Sequence, residues 1–478
     1  MSNSIETLIE NMGQQVSISD FEVSYYQRDL AYVPPIMTKP LFNTKPDIVA
    51  LPNSEEDLRE FVNYAVKEKM PMIPRAGATT AYMNTVPVKG GMVIDLTRMN
   101  GIVDIDEENL MVEVWCGTPW LRLDRELNRK GFSLCSYPSS GVSATVGGWL
   151  NTEGYGVGSM RYGCFHDLID SAHIYLPTGQ EIDSSANSEY PLQWFVGKEG
   201  TLGIASRIRF RIRRKPEQEM HVALEIDSIT TLNKIVAYLG AQEVVPDNIH
   251  IADQDCLLFQ KQLGYEVPDI SAFMLTITYQ GNEQEIEQAQ RDVNQIIADT
   301  AAKKMAPDIA QEEWDERLYA LKIKRGGPSM LAAEVVLKLQ NLQPFYQEVK
   351  KMKQRTAIYA HMMNHEYANV MVQYYADESK SLEYLFQMAK TKRIYDAAIK
   401  HGGRPYGTGI WNSVYNKRVH SAQTLTERMT IKQKLDPDGI MNPGKYYAPP
   451  ALLNPTMFGL ASGVANLTSD LFRIGKGR

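Results

Sequence analysis

The amino-acid sequence predicts an α+β fold of two or three domains. Three observations support this prediction. The chain has 478 residues, which is more than a single hydrophobic core usually organises. Predicted strands and helices alternate between residues 46 and 117, next to loops rich in glycine. After Pro216, predicted strands alternate with charged amphipathic helices, a pattern typical of a mostly antiparallel sheet covered by helices.

The first predicted elements form an α/β unit. A short strand at Ile48–Leu51 precedes a helix at Ser54–Lys69, whose apolar residues recur at helical spacing and which Ser54 can cap. A second strand, Met72–Pro74, leads directly into a loop of small residues at 75–80. Further elements are strands at Met92–Leu96 and Leu110–Val114 and a helix at Pro119–Lys130 that ends before Gly131.

Glycine is unusually frequent between Ser139 and Gly163, where seven glycines occur. Such a loop brings backbone close to another group or adopts positive φ angles. Together with the loop at 75–80 it resembles a phosphate cradle, because backbone N–H groups and small hydroxyls can point at pyrophosphate oxygens. Strands at Ser171–Leu176 and Gly203–Ile212 complete this half of the chain.

The second half is predicted to be a mostly antiparallel sheet with helices. The predicted strands are Val222–Ile226, Ala272–Tyr279, Ala332–Leu337, Ala357–His361 and Val370–Tyr374. The predicted helices are Thr231–Leu239, Glu283–Ala302, Pro344–Lys353, Ser379–His401 and Thr424–Leu435.

The composition argues against several classes of protein. A formal net charge of -7 makes a nucleic-acid partner unexpected. The four cysteines contain no C-x-x-C pair, so neither a disulfide scaffold nor an iron–sulfur cluster is expected in this chain. The N-terminus is polar and acidic, and no apolar stretch reaches the roughly 20 residues of a membrane span. We therefore expect a cytoplasmic protein without a transmembrane segment.

Several motifs occur in a characteristic order. The segment "IPRAGATTAY" is followed by "GGMVIDLTRMNGIVDID", and then by the long glycine-rich "YPSSGVSATVGGWLNTEGYGVGSMRYG". The motif "GKEGTLGI" comes next, and "LDPDGIMNPGKY" stands near the end of the chain. From Pro46 to about Tyr447, the chain resembles the FAD-linked oxidase family. That family includes glycolate oxidase flavin subunits, D-lactate dehydrogenases, vanillyl-alcohol oxidase and p-cresol methylhydroxylase.

The resemblance implies an FAD-binding domain of two α+β subdomains (the PCMH type) and an α+β cap domain that holds the substrate. We expect the FAD-binding domain at 1–216, the cap at 217–405, a segment at 406–450 that returns to the FAD domain, and an extra tail helix at 451–478. No histidine stands near the first FAD loop, so FAD is expected to be bound non-covalently. The FAD-binding residues implied by the resemblance are Arg75, Ala76, Gly77, Ala78, Thr79, Thr80, Pro138, Ser139, Ser140, Thr145, Gly147, Gly148, Gly154, Tyr162, Gly163 and Ile204.

The cap departs from the hydroxy-acid branch of this family. That branch has a tryptophan and an arginine spaced as Trp314 and Arg317 are here, followed by H-x-G-D-G-N-x-H. This chain keeps the first histidine as His361 but has Ala368 at the second position. Where the branch has G-E-H-G-I-G, this chain has Tyr406-Gly407-Thr408-Gly409-Ile410-Trp411. The family's metal site is therefore expected to be lost, and no metal is predicted.

A rebuilt metal site could use His361, His365 and Glu366. In a strand, however, His361 and His365 share a face while Glu366 points to the other. Three ligands from one strand would therefore not converge.

The resemblance implies an FAD-dependent oxidoreductase that transfers a hydride from a small hydroxy acid to the flavin. His361 and Tyr406 are the candidate bases, and Arg317 belongs to the retained hydroxy-acid layout. An alternative substrate is a phenolic alcohol or an alkylphenol. Tyr406 would then bind the phenolate, with Arg404 replacing an arginine that is Gly407 here. A second class of function is a flavin-bearing electron-transfer subunit without substrate chemistry of its own.

The tail after Pro450 carries Leu460, Val464, Leu467 and Leu471 on one face of a predicted helix. This face could pack on its own domain, on a partner subunit or on a membrane surface. Since the chain has no cluster motif, an iron–sulfur protein, an electron-transfer flavoprotein or a quinone is a reasonable electron acceptor. A homo-oligomer is compatible with the same features.

Overall fold

The computed structural model describes residues 2–31, 42–319, 321–352 and 355–447. Within these ranges the strands form three sheets. The strands are β1 (Val16–Ser17), β2 (Ile48–Ala50), β3 (Met72–Arg75), β4 (Met92–Asp95), β5 (Ile102–Asp106), β6 (Met111–Trp115), β7 (Phe132–Leu134), β8 (Ile169–Tyr175), β9 (Glu181–Ser185), β10 (Ile204–Arg214), β11 (Gln218–Ile226), β12 (Asn248–Asp253), β13 (Phe273–Gly281), β14 (Lys303–Lys304), β15 (Ser329–Lys338), β16 (Ala357–Met362), β17 (Tyr367–Ala376) and β18 (Arg404–Pro405).

The α-helices of the described ranges are α1 (Ser2–Met12), α2 (Asp20–Tyr25), α3 (Glu55–Lys67), α4 (Trp120–Arg129), α5 (Val146–Asn151), α6 (Ser159–Tyr162), α7 (Phe165–Leu168), α8 (Ile229–Gly240), α9 (Gln254–Gln262), α10 (Glu283–Ala298), α11 (Pro307–Asp315), α12 (Leu342–Lys350), α13 (Ser381–Lys400), α14 (Asn416–Val419) and α15 (Ala422–Leu435). None of them is long and apolar enough to cross a lipid bilayer.

The first sheet has the strand order β1-β2-β4-β3, in which β2, β4 and β3 are parallel. Helix α3 connects β2 to β3 and buries its predicted apolar face. The predicted cap is confirmed, because the Ser54 hydroxyl accepts from the Asp57 amide in a capping box. The loop at 75–80 therefore leaves the sheet at the carboxyl ends of its parallel strands, where α/β sheets usually bind ligands.

The second sheet is antiparallel, with the order β5-β6-β10-β8-β9 and with β7 paired to β10. Trp120 of α4 packs edge-on against Trp149 of α5, with ring centroids 4.8 Å apart, and Phe165 and Phe210 join the same cluster. These buried rings fix α5 and the glycine-rich segment around it against the sheet.

The third sheet has eight antiparallel strands in the order β14-β11-β13-β12-β16-β17-β15-β18. Its first strand in the chain, β11, begins at Gln218, shortly after the last strand of the second sheet ends at Arg214. The α+β architecture with an antiparallel cap sheet is as predicted. The limits 1–216, 217–405 and 406–450 remain a proposal about separate folding units.

Residues alternate between the two faces of the third sheet. One face carries the large apolar core, in which α8, α10 and α12 cover residues such as Val335, Val370 and Ile277. The other face carries Glu334 and His361. Cross-strand pairing aligns Glu334 with Met371 and Tyr359, and Val336 with Asn369 and His361. Since directly paired residues share a face, Glu334 and His361 lie on the same face with β17 between them.

The end of the described chain packs against the first sheet. The Met72 amide donates to Ile440 O at 2.8 Å, and the Asn442 amide donates to Met72 O at 2.8 Å. The Asn442 side chain also donates to Glu199 O at 2.7 Å. The predicted tail helix at 451–478 lies outside the described residues.

Several elements of the second half were not predicted from the sequence, among them strand β12 and helix α11. Strand β12 has only six residues and lies between charged segments, yet it carries His250 on the face that also bears His361. Helix α11 begins at Pro307 and carries Trp314.

Candidate active site

A cavity of about 1560 Å³ lies between the glycine-rich loops and the third sheet. The loops at 75–80 and 138–148 line one side of it. Glu334, Met371, Tyr359 and His361 of the third sheet line the other. The same space is therefore shared by the loops predicted to bind a cofactor and by the sheet predicted to hold a substrate.

Most of the predicted FAD-binding residues border this cavity. Those that line it are Arg75, Ala76, Gly77, Ala78, Thr79, Thr80, Pro138, Ser139, Ser140, Thr145, Gly147, Gly148 and Ile204. Gly154, Tyr162 and Gly163 are not among its lining residues. The Tyr162 hydroxyl instead accepts a hydrogen bond from the Arg213 guanidinium at 3.0 Å.

The glycines of the two loops are needed for different reasons. A Cβ at Gly77 would collide with the carbonyl oxygen of Ser143, so this glycine allows the two loops to touch. A Cβ at Gly147 would lie 2.7 Å from the Cβ of Cys116. At Gly148, by contrast, a Cβ would meet only the Thr145 hydroxyl, at 3.3 Å. Gly148 thus leaves open space in the cavity, as a site for a bound group requires.

Arg75 lines the cavity, but its guanidinium is held by the protein. It donates to Arg28 O at 2.7 Å and lies 5.1 Å from the ring centroid of Tyr26. Burial lowers the pKa of Arg75, and the carboxylates of Asp29 and Asp95 oppose that shift. Arg75 therefore ties the N-terminal segment to the first loop.

A carboxylate that sequence reasoning missed lies at the centre of the cavity wall. Glu334 accepts hydrogen bonds from the Tyr82 hydroxyl at 2.9 Å and from the Tyr155 hydroxyl at 2.6 Å. Burial raises the pKa of Glu334, whereas the two tyrosine hydroxyls lower it. The rings of Tyr155 and Tyr406 meet edge to face, with centroids 4.9 Å apart. Tyr406 itself is held beside Glu334, because its amide donates to the Glu334 carbonyl at 2.9 Å.

His361 is buried, and neither of its ring nitrogens has a hydrogen-bond partner among the described residues. Its ring lies 5.0 Å from that of Tyr359 and 5.2 Å from that of His250, measured between centroids. Burial lowers the pKa of His361 to about 4. The imidazole is therefore neutral at physiological pH and has a nitrogen available to accept a proton.

The two predicted arginines do not line the cavity. Arg317 donates to the Tyr137 hydroxyl at 2.8 Å and to Trp314 O at 2.8 Å. Arg404 is partly exposed and lies 3.9 Å from the Glu153 carboxylate. Of the predicted catalytic residues, His361 and Tyr406 are brought to the cavity together. His365 is exposed in the turn after β16 and is not brought to His361.

Buried charges connect the C-terminal segment to the cofactor side. The Glu199 carboxylate accepts hydrogen bonds from the amides of Thr408 and Gly409 at 2.7 and 2.8 Å. Burial raises the pKa of Glu199 to about 7. Burial also lowers the pKa of Lys445 to about 7, against the attraction of Asp29 and Glu199. This cluster holds the turn after Tyr406 beside the cavity.

The glycine-rich loops and the third sheet enclose a cavity large enough for a cofactor, and this arrangement is typical of a cofactor-dependent enzyme. Residues 46–185 match the family model of the FAD binding domain, and residues 215–446 match that of the FAD linked oxidases, C-terminal domain. The chain belongs to the FAD-linked oxidase family, and it is an FAD-dependent oxidoreductase. The open space at Gly148 and the lining of both loops fit that cofactor.

Curated relatives and solved structures agree with this assignment. The chain is 24% identical to the glycolate oxidase subunit GlcD of Bacillus subtilis (strain 168), over 86% of this chain and 90% of that protein. It is 24% identical to D-lactate dehydrogenase of Anaerostipes hadrus, over 84% of this chain and 89% of that protein. The fold is similar to that of p-cresol methylhydroxylase with substrate bound, with a TM-score of 0.79 and 14% identity, covering 94% of this chain and 97% of that one.

The cavity residues that sequence reasoning missed are marked only weakly, or not at all, in the sequence. Glu334 is an acidic residue inside the otherwise apolar predicted strand Ala332–Leu337, and such an interruption is a sign of a functional group. Tyr82 and Tyr155 lie within the two motifs that resemble FAD loops, but nothing in the sequence indicates that their hydroxyls meet a carboxylate. His250 lies in β12, a strand that the sequence pattern does not predict.

Proposed function

We propose that this chain oxidises a CH–OH group of an organic substrate with an apolar or aromatic body. His361 accepts the hydroxyl proton at one of its ring nitrogens as the substrate is oxidised. Bound FAD supplies the acceptor for the electron pair and hydrogen that leave the carbon. The protein's own residues bind and orient the alcohol, exclude water and hold the proton.

The observation that carries this proposal is the state of His361. A buried polar group without a partner is costly, and such groups usually serve a ligand or a reaction. The low pKa of His361 keeps the imidazole neutral, so it can act as an acceptor without first losing a proton. The His250 ring stacks on His361 and the Tyr359 ring packs edge-on against it, and neither forms a hydrogen bond to His361, so its nitrogens stay available.

The walls of the substrate side support an apolar or aromatic body. Side chains without charge dominate them, and the carboxylate of Glu334 stands among tyrosines. These walls include Met330, Leu331, Met371, Leu385, Met388, Tyr384, Tyr395 and Tyr406. Arg317 and Arg404, which would have bound the anion of a hydroxy acid or a phenolate, do not line the cavity, and Arg317 donates to the Tyr137 hydroxyl.

A small hydroxy acid is the second candidate substrate. Two curated relatives are named for glycolate and D-lactate. Lys322, Lys324 and Arg325 also line the cavity and could bind a carboxylate, although Lys322 is already paired with Glu313 and Glu316 at 3.2 and 2.5 Å.

The electron acceptor is a further part of the proposal. We infer that electrons pass from FAD to a separate redox protein, either an iron–sulfur protein or an electron-transfer flavoprotein. The absence of a cluster motif in the sequence supports this. Comparing flavin reoxidation by air with reoxidation by a purified electron-transfer flavoprotein tests it, and rapid reoxidation by air alone would contradict it.

Anaerobic bleaching of the bound flavin tests the main proposal. Aromatic alcohols should reduce the flavin, whereas lactate, glycolate and sugar acids should not. The change His361→Asn should slow reduction by about 100-fold or more, since general-base catalysis contributes that much. His166→Asn is a matched control, because His166 is partly exposed and does not line the cavity.

Each other outcome has a clear meaning. Reduction by hydroxy acids alone would establish the second candidate. Normal reduction in His361→Asn would remove His361 as the base. If FAD is bound but no compound bleaches it, an electron-transfer subunit without substrate chemistry becomes the better conclusion.

A further inference from the structure

The Glu334 carboxylate has no ion pair with a lysine or an arginine of the described ranges. Its hydrogen-bond partners there are neutral, namely the hydroxyls of Tyr82 and Tyr155. Two other buried carboxylates have cationic partners, since Asp253 is 2.6 Å from Lys350 and Asp247 is 3.1 Å from Arg213, whereas Glu199 is held by backbone amides. Hydrogen bonds from neutral groups offset only part of the cost of burying a carboxylate charge, and a cationic group of a ligand would offset the rest.

Tyr82 and Tyr155 add hydrogen-bond acceptors to this wall of the cavity and no donors. A tyrosine hydroxyl has one hydrogen, and in both residues that hydrogen is donated to Glu334. The phenol oxygens can then only accept hydrogen bonds from a further group. Glu334, Tyr82 and Tyr155, which all line the cavity, therefore present acceptors and no free donor to it.

The surroundings of this acceptor cluster are aromatic. Tyr406 packs edge-on against Tyr155, and Gly407 lies against Tyr82, where a Cβ would come within 2.7 Å of the ring. The Tyr395 hydroxyl accepts from the Asn412 side chain at 3.3 Å, and that side chain also donates to Gly407 O at 2.9 Å. Trp411 lines the same cavity. Aromatic rings attract cations and do not attract carboxylates.

We propose that Glu334, Tyr82 and Tyr155 form a specificity site that binds a cationic hydrogen-bond donor of the substrate, an ammonium group, and excludes carboxylates and phenolates. A neutral N–H or O–H donor binds there less tightly than an ammonium group. The inference rests on the proposed function for the identity of the cavity as the substrate site. It adds the chemical nature of a second group of the substrate, which lies at a distance from the reacting hydroxyl.

Equilibrium binding tests the site without any turnover. The FAD-loaded protein is titrated with benzylamine, benzamide and benzoate, which share a ring and differ in the charge of one group. Binding is followed by calorimetry and by the change in flavin absorbance. Benzylamine should bind at least about tenfold more tightly than benzoate, with benzamide between them, because one unsatisfied charge–acceptor contact is worth that factor or more.

Glu334→Gln should reduce the ratio of benzylamine to benzoate affinity to within about threefold, since the amide has no charge. Glu334→Asp keeps the charge and should keep the order of affinities. Glu366→Gln removes a carboxylate from an exposed turn and should leave the ratio unchanged. The flavin absorbance and FAD content of each variant report whether the cofactor side is still folded.

The outcomes separate this inference from the proposed function. Tight benzylamine binding that depends on Glu334, in a protein whose flavin no alcohol reduces, would support the site and contradict the proposed reaction. Benzoate binding as tight as that of benzylamine to the unaltered protein would overturn the site, whether or not the flavin is reduced. The site would also be overturned if the Glu334→Gln variant folds correctly and keeps the full preference for benzylamine.

Discussion

The two carboxylate oxygens of Glu199 each lie 2.8 Å from the backbone amide of Gly409. Glu199 belongs to the "GKEGTLGI" motif of the FAD half, whereas Gly409 follows Tyr406 in the C-terminal segment. One side chain therefore attaches the turn that carries Tyr406 to the cofactor side of the cavity. The carboxylate is buried, so its loss cannot be compensated by water.

We expect Glu199→Ala to lower the free energy of unfolding by about 2–3 kcal/mol, because the amides of Thr408 and Gly409 lose their acceptor. Glu199→Gln keeps one acceptor oxygen and should cost less. Urea unfolding of the FAD-loaded protein measures both values, with Glu366→Ala in an exposed turn as the control. Equal stability of Glu199→Ala and the control would show that the carboxylate does not hold this turn.

The buried His361 predicts a pH dependence of stability. Its pKa is about 4 in the folded protein, compared with 6.5 for an unperturbed histidine side chain, so the unfolded chain binds more protons between these values. The free energy of unfolding should therefore rise as the pH increases from 4 to 6.5, by up to about 3 kcal/mol from this residue. In His361→Gln this contribution should vanish. Denaturant unfolding at both ends of the range, compared with His166→Gln, measures it; identical pH profiles would contradict it.

The hydrogen bonds to Glu334 predict a shift in ligand binding. The hydroxyls of Tyr82 and Tyr155 lower the pKa of Glu334, against the effect of burial. Removing one of them in Tyr155→Phe should raise this pKa, so benzylamine binding should be lost at a higher pH than in the unaltered protein. Tyr25→Phe, on an exposed side chain, is the control. A binding midpoint that stays in place would show that the Tyr155 hydroxyl does not act on Glu334.

The sequence predicted the cofactor half well because its signals are local. The loops at 75–80 and 138–148 are contiguous motifs, and their order along the chain can be read directly from the sequence. The substrate half depends on distant residues: Glu334 meets Tyr82 from 252 positions away and Tyr155 from 179 positions away. No spacing rule predicts such a meeting.

Arg317 shows that a local sequence pattern does not determine the distant contacts of a side chain. Its spacing from Trp314 matches the hydroxy-acid branch, and the guanidinium indeed lies 4.2 Å from the Trp314 ring centroid. Its Nε, however, donates to the Tyr137 hydroxyl, which lies 180 positions earlier in the chain. A local pattern therefore does not determine which distant group the Arg317 side chain contacts.

Substituting Gly77 and Gly148 in turn by alanine distinguishes an effect on folding from an effect on cofactor binding. In Gly77→Ala the new methyl collides with Ser143 O, so the two loops must move apart. We expect both the stability of the apoprotein and its affinity for FAD to fall. In Gly148→Ala the methyl meets only the Thr145 hydroxyl, at 3.3 Å, and alanine is favoured over glycine within a helix by about 0.5–1 kcal/mol.

The apoprotein of Gly148→Ala should consequently be as stable as the unaltered apoprotein, or slightly more so. Its affinity for FAD should nevertheless fall, because the methyl occupies space on the cofactor side of the cavity. Urea unfolding of the two apoproteins and titration with FAD, followed by flavin fluorescence, measure both properties. If Gly148→Ala bound FAD with unchanged affinity, the cofactor would have to lie away from the first turn of α5. If both variants lost apoprotein stability, Gly148 would be needed for packing of the loops, as Gly77 is, and not for space around the cofactor.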